Sequence, residues 1–511
     1  MSSITQQTLD SLKDQLNSKN FDPAALAKAI TQSTGLVAID LEVPSKKLFP
    51  ALSPLRNELP RFVDGKGGTA VQWRGVLAQN ASAGSAPGNY QVSVVEGQRN
   101  AAYNLSTANY LGSYKSIGIE QSVTFEAEFA GQTFEDMKGL AVLTNLQSLM
   151  VKEELLLVGG NNSMNLGQTP TLTSFSTATT GGTITTGATL YVACVYLSYE
   201  GLQASSISGG VVTRTQATGA DGLTFYTGYG AALISATANS TVGSSTNTNT
   251  LTATVPTKAG VAGYAWFWGA TYAGATLGAI TTINSYTIKT MTGTGTQTEA
   301  VYAAANSSDY SANPNSFDGL ITLCQGLGQQ VGNTVSQGYN LAVPAGYQLT
   351  SDGAAGIVEI DAMLKDRWDN YRLGFDTLWV NSQEATSITK LVVQNGGAPL
   401  VRFVSDGKGA DRSNIGGATF VSSYWNKYTG QEMRVIVHPF IQAGTILATA
   451  KELPYPVNGV NQVNQVRLRR DYYEIDWPIV SRQYPYGLYS DQFVQNYFQA
   501  AIGTISNLTA N

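Results

Sequence analysis

Residues 165–303 carry about six charged side chains and long Thr/Ser/Gly tracts, a gap that constrains the fold more than any single motif in the chain. Within it stand short alternating runs separated by turn signals: ATLYVACVYLSYEG (188–201), GGVVTRTQATG (209–219), TLTATVPTKAG (250–260), GYAWFWGATYAG (263–274) and INSYTIKTMTG (283–293). Strands of this length and spacing predict an all-β sandwich. Immediately upstream, TFEDMKGLAVLTNLQSLMVKEELLLVGGNN (133–162) predicts one helix of about 39 Å at 1.5 Å per residue, ending at the Gly-Gly-Asn-Asn stretch. Thr133 is its expected cap, with Glu135 and Asp136 in the first turn. Met137, Leu140, Leu143, Leu146, Leu149, Met150, Val151, Leu155 and Leu156 fall around most of its circumference, which predicts burial on several sides.

The whole chain has 511 residues, so two to four domains are expected. Its apolar fraction of 43% supports a sizeable core, while its charged fraction of 13% is about half the usual share. Low charge with abundant Gly, Thr and Tyr points to β-structure and to surfaces buried against other subunits. A formal charge of −5 argues against a nucleic-acid reader held by a basic face. Cys194 and Cys324, the two cysteines, lie far apart, so neither a disulfide framework nor a Cys-rich metal site is expected. The N-terminus lacks an apolar h-region, and no run of 18 apolar residues offers a membrane span, so a chain made and kept in a cytoplasm, or in something assembled there, is expected.

Ahead of the long helix, Leu9, Leu12 and Leu16 predict one short helix, and Asp22 with Pro23 caps a second. LEVPSKKLFPALSPLRNELP (41–60) is expected to be extended chain lying on something else. Residues 69–77 and 113–128 alternate like two strands of a ribbon around a Gly/Ala/Ser/Asn-rich loop (81–100). After 304 the charge returns. Ile357, Ile360, Leu364, Trp368 and Tyr371 share one helical face, FDTLWVN (375–381) is a short buried strand, and SQEATSITKLVV (382–393) is a capped helix. PLVRFV, TFVSSYW, EMRVIVHPF and GTILATA predict an antiparallel sheet with a loop at VSDGKGADRSNIGG. The final stretch from Val466 is aromatic, with Pro478 and Pro485 expected to break it into strands.

Candidate chemistry is sparse. His438 precedes a proline at a strand end; a general base needs a partner the sequence does not supply, so a packed or interface histidine is expected. GKGG (65–68) and DGKGADRS (406–413) do not complete a phosphate-loop pattern and read as turns, and the second lacks the alternation of a calcium loop. Arg467, Arg469 and Arg470 suit a salt-bridging strand edge, with Glu474 and Asp476 within reach in sequence, better than a contact to DNA. Glu153 and Glu154 read as ordinary solvated or inter-subunit charges. No catalytic, cofactor-binding or metal-ligating residue and no cofactor is assigned, and an enzyme is not expected.

The order of these elements resembles the major capsid protein of tailed bacteriophages, the HK97-like fold. The resemblance rests on an N-arm, a glycine-rich ribbon with Glu96 and Gly97 near its return, a helix with Lys152, Glu153 and Glu154 near its end, the FDTLWVNSQEATSITKL run and a closing aromatic strand. It covers about 370 residues, all but the insert. It implies an α+β capsid fold with an inserted immunoglobulin-like or fibronectin type III-like sandwich. The implied divisions are an N-terminal arm (1–60), an extended β-ribbon (61–130), a spine helix (131–164), the inserted sandwich (165–303), a peripheral domain (304–390), an axial domain (391–465) and a C-terminal return (466–511). It further implies hexamers and pentamers of an icosahedral virion shell assembled in a host cytoplasm. The expected partners are scaffolding, portal and decoration proteins and double-stranded DNA held by weak non-specific contact, with no membrane. Lys66 and Lys115 fit no cross-linking pattern, and the sandwich is expected to be removable with little harm to assembly. A cell-surface adhesin or surface-layer protein, and an encapsulin-type compartment, are the rival readings.

Overall fold

Asp136 starts the long helix. In the computed structural model, which describes residues 46, 48–64, 67–79, 93–99, 105–132, 135–172, 174–219, 221–243, 246–354, 356–395 and 421–511, the Asp136 carboxylate accepts the Lys138 and Gly139 N–H groups, both at 3.1 Å. The expected helices near Leu9 and Asp22, the cap at Thr133, Lys66, most of the 81–100 loop, PLVRFV and the DGKGADRS loop lie outside the described residues. The chain divides into two units, residues 1–50 with 123–141 and residues 51–122 with 142–511.

Helix α1 (Pro54–Glu58) begins with proline, whose missing N–H is harmless there, and strand β1 (Arg61–Val63) follows. Strands β2 (Ala70–Gln79) and β3 (Leu105–Ser113) pair antiparallel, Ala70 opposite Ser113 and Gln79 opposite Leu105. The returning strand of the ribbon is therefore 105–113, not 113–128. The latter stretch splits into β4 (Lys115–Thr124), which joins another sheet, and helix α2 (Phe125–Gly131), capped by the Thr124 hydroxyl at the Ala127 N–H. In the smaller unit Lys138 pairs with Glu128 at 2.9 Å. Helix α3 (Met137–Gly159) is shorter than expected at 23 residues. Its buried side chains gather towards its C-terminal end, at Leu149, Glu153, Glu154, Leu157 and Val158, while Leu143 is 45% exposed.

The charge-poor segment contains β5 (Ser174–Ala178), β6 (Thr189–Leu197), helix α4 (Tyr199–Ala204), β7 (Thr215–Thr218), β8 (Thr224–Thr227), β9 (Ala238–Thr241), β10 (Thr250–Thr254), β11 (Gly263–Gly269), β12 (Thr276–Thr281) and β13 (Ser285–Ile288). They form an antiparallel sheet β13–β10–β5, a second, β12–β11–β6–β9, and a separate β7–β8 hairpin. Leu251 and Ala253 of the first sheet share a core with Val192, Cys194, Tyr196, Tyr264, Trp266 and Trp268 of the second. The opposite face of the second sheet, Ala193, Val195, Leu197, Ala265 and Phe267, is covered as well, by Val211, Ala231 and Tyr302. A sheet buried on both faces needs near-continuous apolar strands, which is why YVACVYL and YAWFW do not alternate in polarity. Tyr302, in helix α5 (Glu299–Ala305), donates its hydroxyl to the Ala232 carbonyl at 2.6 Å, and Tyr310 bridges to Ala231. Chain beyond residue 303 thus completes this layer.

The remainder comprises α6 (Leu320–Gln325), β14 (Tyr339–Ala342), α7 (Val358–Tyr371), β15 (Thr377–Val380), α8 (Ser382–Asn395), β16 (Ser423–Trp425), β17 (Glu432–Val437), β18 (Ile446–Thr449), β19 (Asn464–Asp476), β20 (Gln483–Asn496) and β21 (Ile502–Ser506). The six-stranded sheet β14–β21–β18–β15–β17–β16 is mixed, not antiparallel: β15 runs parallel to β17 and β14 parallel to β21. Helix α8 and then β16 lie between β15 and β17 in the chain; β16 runs antiparallel to β17, and the reversal between them leaves β17 parallel to β15. Ile360, Met363 and Leu364 of α7 pack with Leu378, Val380, Ile446 and Ile505. The second sheet of this region is β1–β19–β20–β4. Pro478 lies in the β19–β20 turn, but Pro485 is inside β20, where its carbonyl accepts the Trp477 N–H. Cys194 and Cys324 are buried and unpaired. Among the described residues no helix is long and apolar enough to cross a membrane.

Glu384, buried at the start of α8, is the one carboxyl here that burial pushes up to about 7. A carboxyl held above its unfolded value near 4.3 binds its proton more tightly when folded. The stability it contributes is present below about pH 4 and is lost as pH rises through about 7. Glu384→Gln removes that loss, and the variant is expected to exceed the parent by about 3–4 kcal/mol at pH 8, with the difference vanishing near pH 4. Urea melts at the two pH values check the sign.

Candidate functional site

Two adjacent carboxylates that the sequence suggested were solvated or inter-subunit charges sit fully buried within the chain at the end of α3. Successive helical residues point about 100° apart, so Glu153 and Glu154 address different partners. Glu154 accepts the Leu55 and Arg56 N–H groups at 2.7 Å each, closing the first turn of α1 from a distance of 98 residues or more in sequence. Its third partner is His438, whose Nε2 lies 2.5 Å from the same carboxylate. The His438 Nδ1 accepts the Phe440 N–H at 3.1 Å, so the ring proton sits on Nε2 and is donated to Glu154. His438 is therefore a packed histidine, edge-on to Trp379 at 5.8 Å.

Glu153 meets two guanidinium groups, Arg56 at 3.0 Å and Arg61, and the Tyr472 hydroxyl. Arg61 also reaches Asp471 at 2.9 Å, and both arginines lie over the Tyr472 ring, 5.3 and 5.0 Å from its centre. Burial, and after it the Glu153 charge, pushes the Tyr472 phenol well up. Burial opposes the Arg61 charge, but Glu153, Tyr472 and Asp471 outweigh it and raise its pKa. Buried charges require such pairing and saturation by hydrogen bonds. The residues brought together, Arg56, Arg61, Glu153, Glu154, His438 and Tyr472, come from four separate stretches of sequence.

The arginine run is also structural. β19 is an inner strand, flanked by β1 and β20, so it is not an edge. Arg467 pairs with Asp64 at 2.8 Å and Arg469 with Asp491 at 2.6 Å, while Arg470 lies over the Tyr473 ring. Neither Glu474 nor Asp476 is the partner that their position in sequence suggested. Burial opposes ionisation of Asp491, yet Ser116 and Arg469 hold its carboxyl below the ordinary range. Glu96 and Gly97 form a turn, with Gly97 at φ +79 and the Gln98 N–H donated to Val95. Lys115 donates to the Pro314 carbonyl at 2.6 Å. Among the described residues no group of three or more His, Cys, Asp or Glu is placed to hold a metal ion.

The β2–β3 ribbon is the second candidate surface. Near its base Trp73 stacks on Tyr110, with ring centres 5.7 Å apart, and Val71 and Trp73 pack onto the main core. Farther along, Val76 is 66% and Leu105 64% exposed, although both lie in paired strands.

Among solved structures, the chain is similar to the capsid of a native GTA particle, with a TM-score of 0.44 and 8% identity, covering 94% of this chain and 99% of that one. It is also similar to the capsid asymmetric unit of cyanophage A-1(L), with a TM-score of 0.42, 10% identity and coverage of 94% and 99%. For the capsid of Myoviridae phage XM1 the values are 0.39, 8%, 92% and 96%. No family model matches the chain, and no curated protein matches it.

Proposed function

We propose that this chain is the major capsid subunit of a tailed phage, assembling into hexamers and pentamers of an icosahedral shell around double-stranded DNA. The observation that carries the reading is the two-stranded β2–β3 ribbon. A lone hairpin is only marginally stable in water, and this one presents Val76 and Leu105 to solvent. A neighbouring subunit covering it would contribute about 25 cal/mol per Å² of apolar area, repeated at every contact of the shell. The order of ribbon, helix and two closing sheets supports the same reading.

The two sheets of residues 166–311 serve as an inserted immunoglobulin-like module. In each sheet a strand pairs across the chain order, β5 with β10 and β6 with β11, and the order β9–β6–β11–β12 matches the C′–C–F–G sheet of a variable-type domain. The scheme departs from that type in the other sheet, where β13 occupies the position of strand D. Scaffolding, portal and decoration proteins, weak contact with packaged DNA and assembly in a host cytoplasm belong to this proposal, and no catalytic role is assigned.

Expression followed by gradient sedimentation and negative-stain electron microscopy tests it. Closed angular shells, or tubes and sheets of hexamers, are the expected result. Dispersed monomers across several buffers would overturn the reading in favour of a surface-binding protein, and particles lacking nucleic acid after infection would favour a compartment shell.

A further inference from the structure

Arg214 is a cation in a segment with few charges, and no carboxylate answers it. It immediately precedes β7, and its guanidinium carbon lies 3.9 Å from the centre of the Tyr226 ring, 4.6 Å from that of Tyr310 and 5.8 Å from that of Tyr229. Among the described residues it joins no ion pair. The Tyr310 hydroxyl, and then the Tyr229 and Tyr226 phenols, support its charge, and the guanidinium in turn holds the Tyr310 phenol below its ordinary value. Its Nε is screened from solvent and has no acceptor, so the Nη groups are the donors that remain open. The backbone beneath is fixed: the Arg214 N–H donates to buried Asn306 Oδ1 at 3.0 Å, and the Gly230 N–H donates to the Tyr310 carbonyl at 2.7 Å. Strand alternation sets Gln216 opposite Tyr226 and Thr218 opposite Thr224 on one face of the β7–β8 hairpin. All four are exposed, Tyr226 by 47%.

We propose that this face of the hairpin, with Arg214 at its base, binds an acidic saccharide, a sugar that carries a carboxylate. The edge of a guanidinium matches a carboxylate through two parallel hydrogen bonds. The exposed Tyr226 ring offers an apolar surface to the C–H side of a sugar ring, while Gln216, Thr218 and Thr224 offer amide and hydroxyl groups to the sugar hydroxyls. One guanidinium suits an isolated carboxylate and does not suit a nucleic acid, whose binding needs several phosphates neutralised. Because the backbone is already fixed, little is ordered on binding. The site needs no second copy of the chain and does not rest on the shell reading.

Isothermal titration of the full-length chain with oligogalacturonate and oligoalginate, and with a neutral galacto-oligosaccharide of the same length, tests it. Saturable binding of at least one acidic oligomer is expected, with the neutral oligomer at least tenfold weaker. Arg214→Gln is expected to weaken acidic-oligomer binding about tenfold or more, the loss of hydrogen bonds to a charged group, and Arg214→Lys, which keeps the charge without the fork, is expected to restore little of it. Tyr226→Leu is expected to cost several-fold. Lys289→Gln, at an exposed cation beyond β13, leaves binding unchanged. Thr224→Asp sets a carboxylate on the same face outside the Arg214 contacts, and it is expected to abolish binding with melting unchanged, which keeps the test decisive should Arg214→Gln loosen the hairpin. Absence of saturable binding by either acidic oligomer overturns the proposal, as does binding that survives both Arg214→Gln and Thr224→Asp. Equal binding of the neutral oligomer overturns it too, and equal binding of polyglutamate would assign the face to an acidic peptide instead.

Discussion

Glu154→Ala is expected to destabilise the protein by about 3–5 kcal/mol, the cost of removing one member of a buried polar cluster. Three donors lose their acceptor at once: the Leu55 N–H, the Arg56 N–H and His438 Nε2–H, all buried or partly buried. Glu154→Gln keeps the volume and one acceptor oxygen but turns an amide N–H towards a donor, and about half that loss is expected. Two controls separate the clamp from general core damage. Glu153→Gln leaves the α1 backbone contacts intact and unbalances Arg56 and Arg61 instead. His438→Asn removes one donor and leaves Glu154 with its two backbone partners, so its cost is expected near 1–2 kcal/mol. Urea melts, with proteolysis reporting release of residues 53–64, distinguish these outcomes; a Glu154→Ala melt within 1 kcal/mol of the parent would mean the clamp carries no stability.

Tyr199→Ala is expected to cost about 3–5 kcal/mol, as other buried aromatic truncations do. Tyr199 opens α4 yet packs with Leu157, Val158, Phe317 and Leu320 beyond the insert. Gly159 exists to admit it, since a Cβ there would lie 2.4 Å from the Tyr199 ring. A second joint lies at Asn284 and Asn507, whose side chains hydrogen-bond each other at 2.9 Å while Asn507 holds φ +68. At a third, half-buried Glu200 accepts from Asn313 at 2.9 Å. Sheets tied down through three such joints fold together with the rest of the chain. Deletion of residues 165–303 is therefore expected to give insoluble chain, contrary to the dispensability that the family resemblance implied, and a soluble, cooperatively melting deletion protein would show that the joints are incidental.

The parts of the fold legible in the sequence are those set by local periodicity. The α7 face, the strand TLWV and helix α8 fall where the pattern places them, because buried apolar spacing and capping are short-range properties. The ribbon was legible as a ribbon, but its register was not. LSTANYLGS and KSIGIEQSVT alternate equally well, and the choice of β3 as partner of β2 depends on contacts such as Trp73 on Tyr110. The single histidine could be read as packed from the absence of partners nearby. Glu153 and Glu154 were misread for a physical reason: a carboxylate's burial depends on which donors reach it, and these donors lie from 92 to 319 residues away.

By itself the sequence determined that residues 165–303 would be β-rich and scarcely charged, and that a long apolar helix would precede them. Composition and periodicity act through each residue's own preference and its near neighbours, so they need no fold to be read. The tertiary structure alone decided that the Glu-Glu pair would become a buried clamp, that Arg467 would choose Asp64 over Glu474, and that the sheets of the charge-poor segment would be fastened to the rest of the chain. Charge pairing and burial are long-range choices among many candidates of equal sequence merit, and only the folded chain brings the chosen partners within about 3 Å of each other.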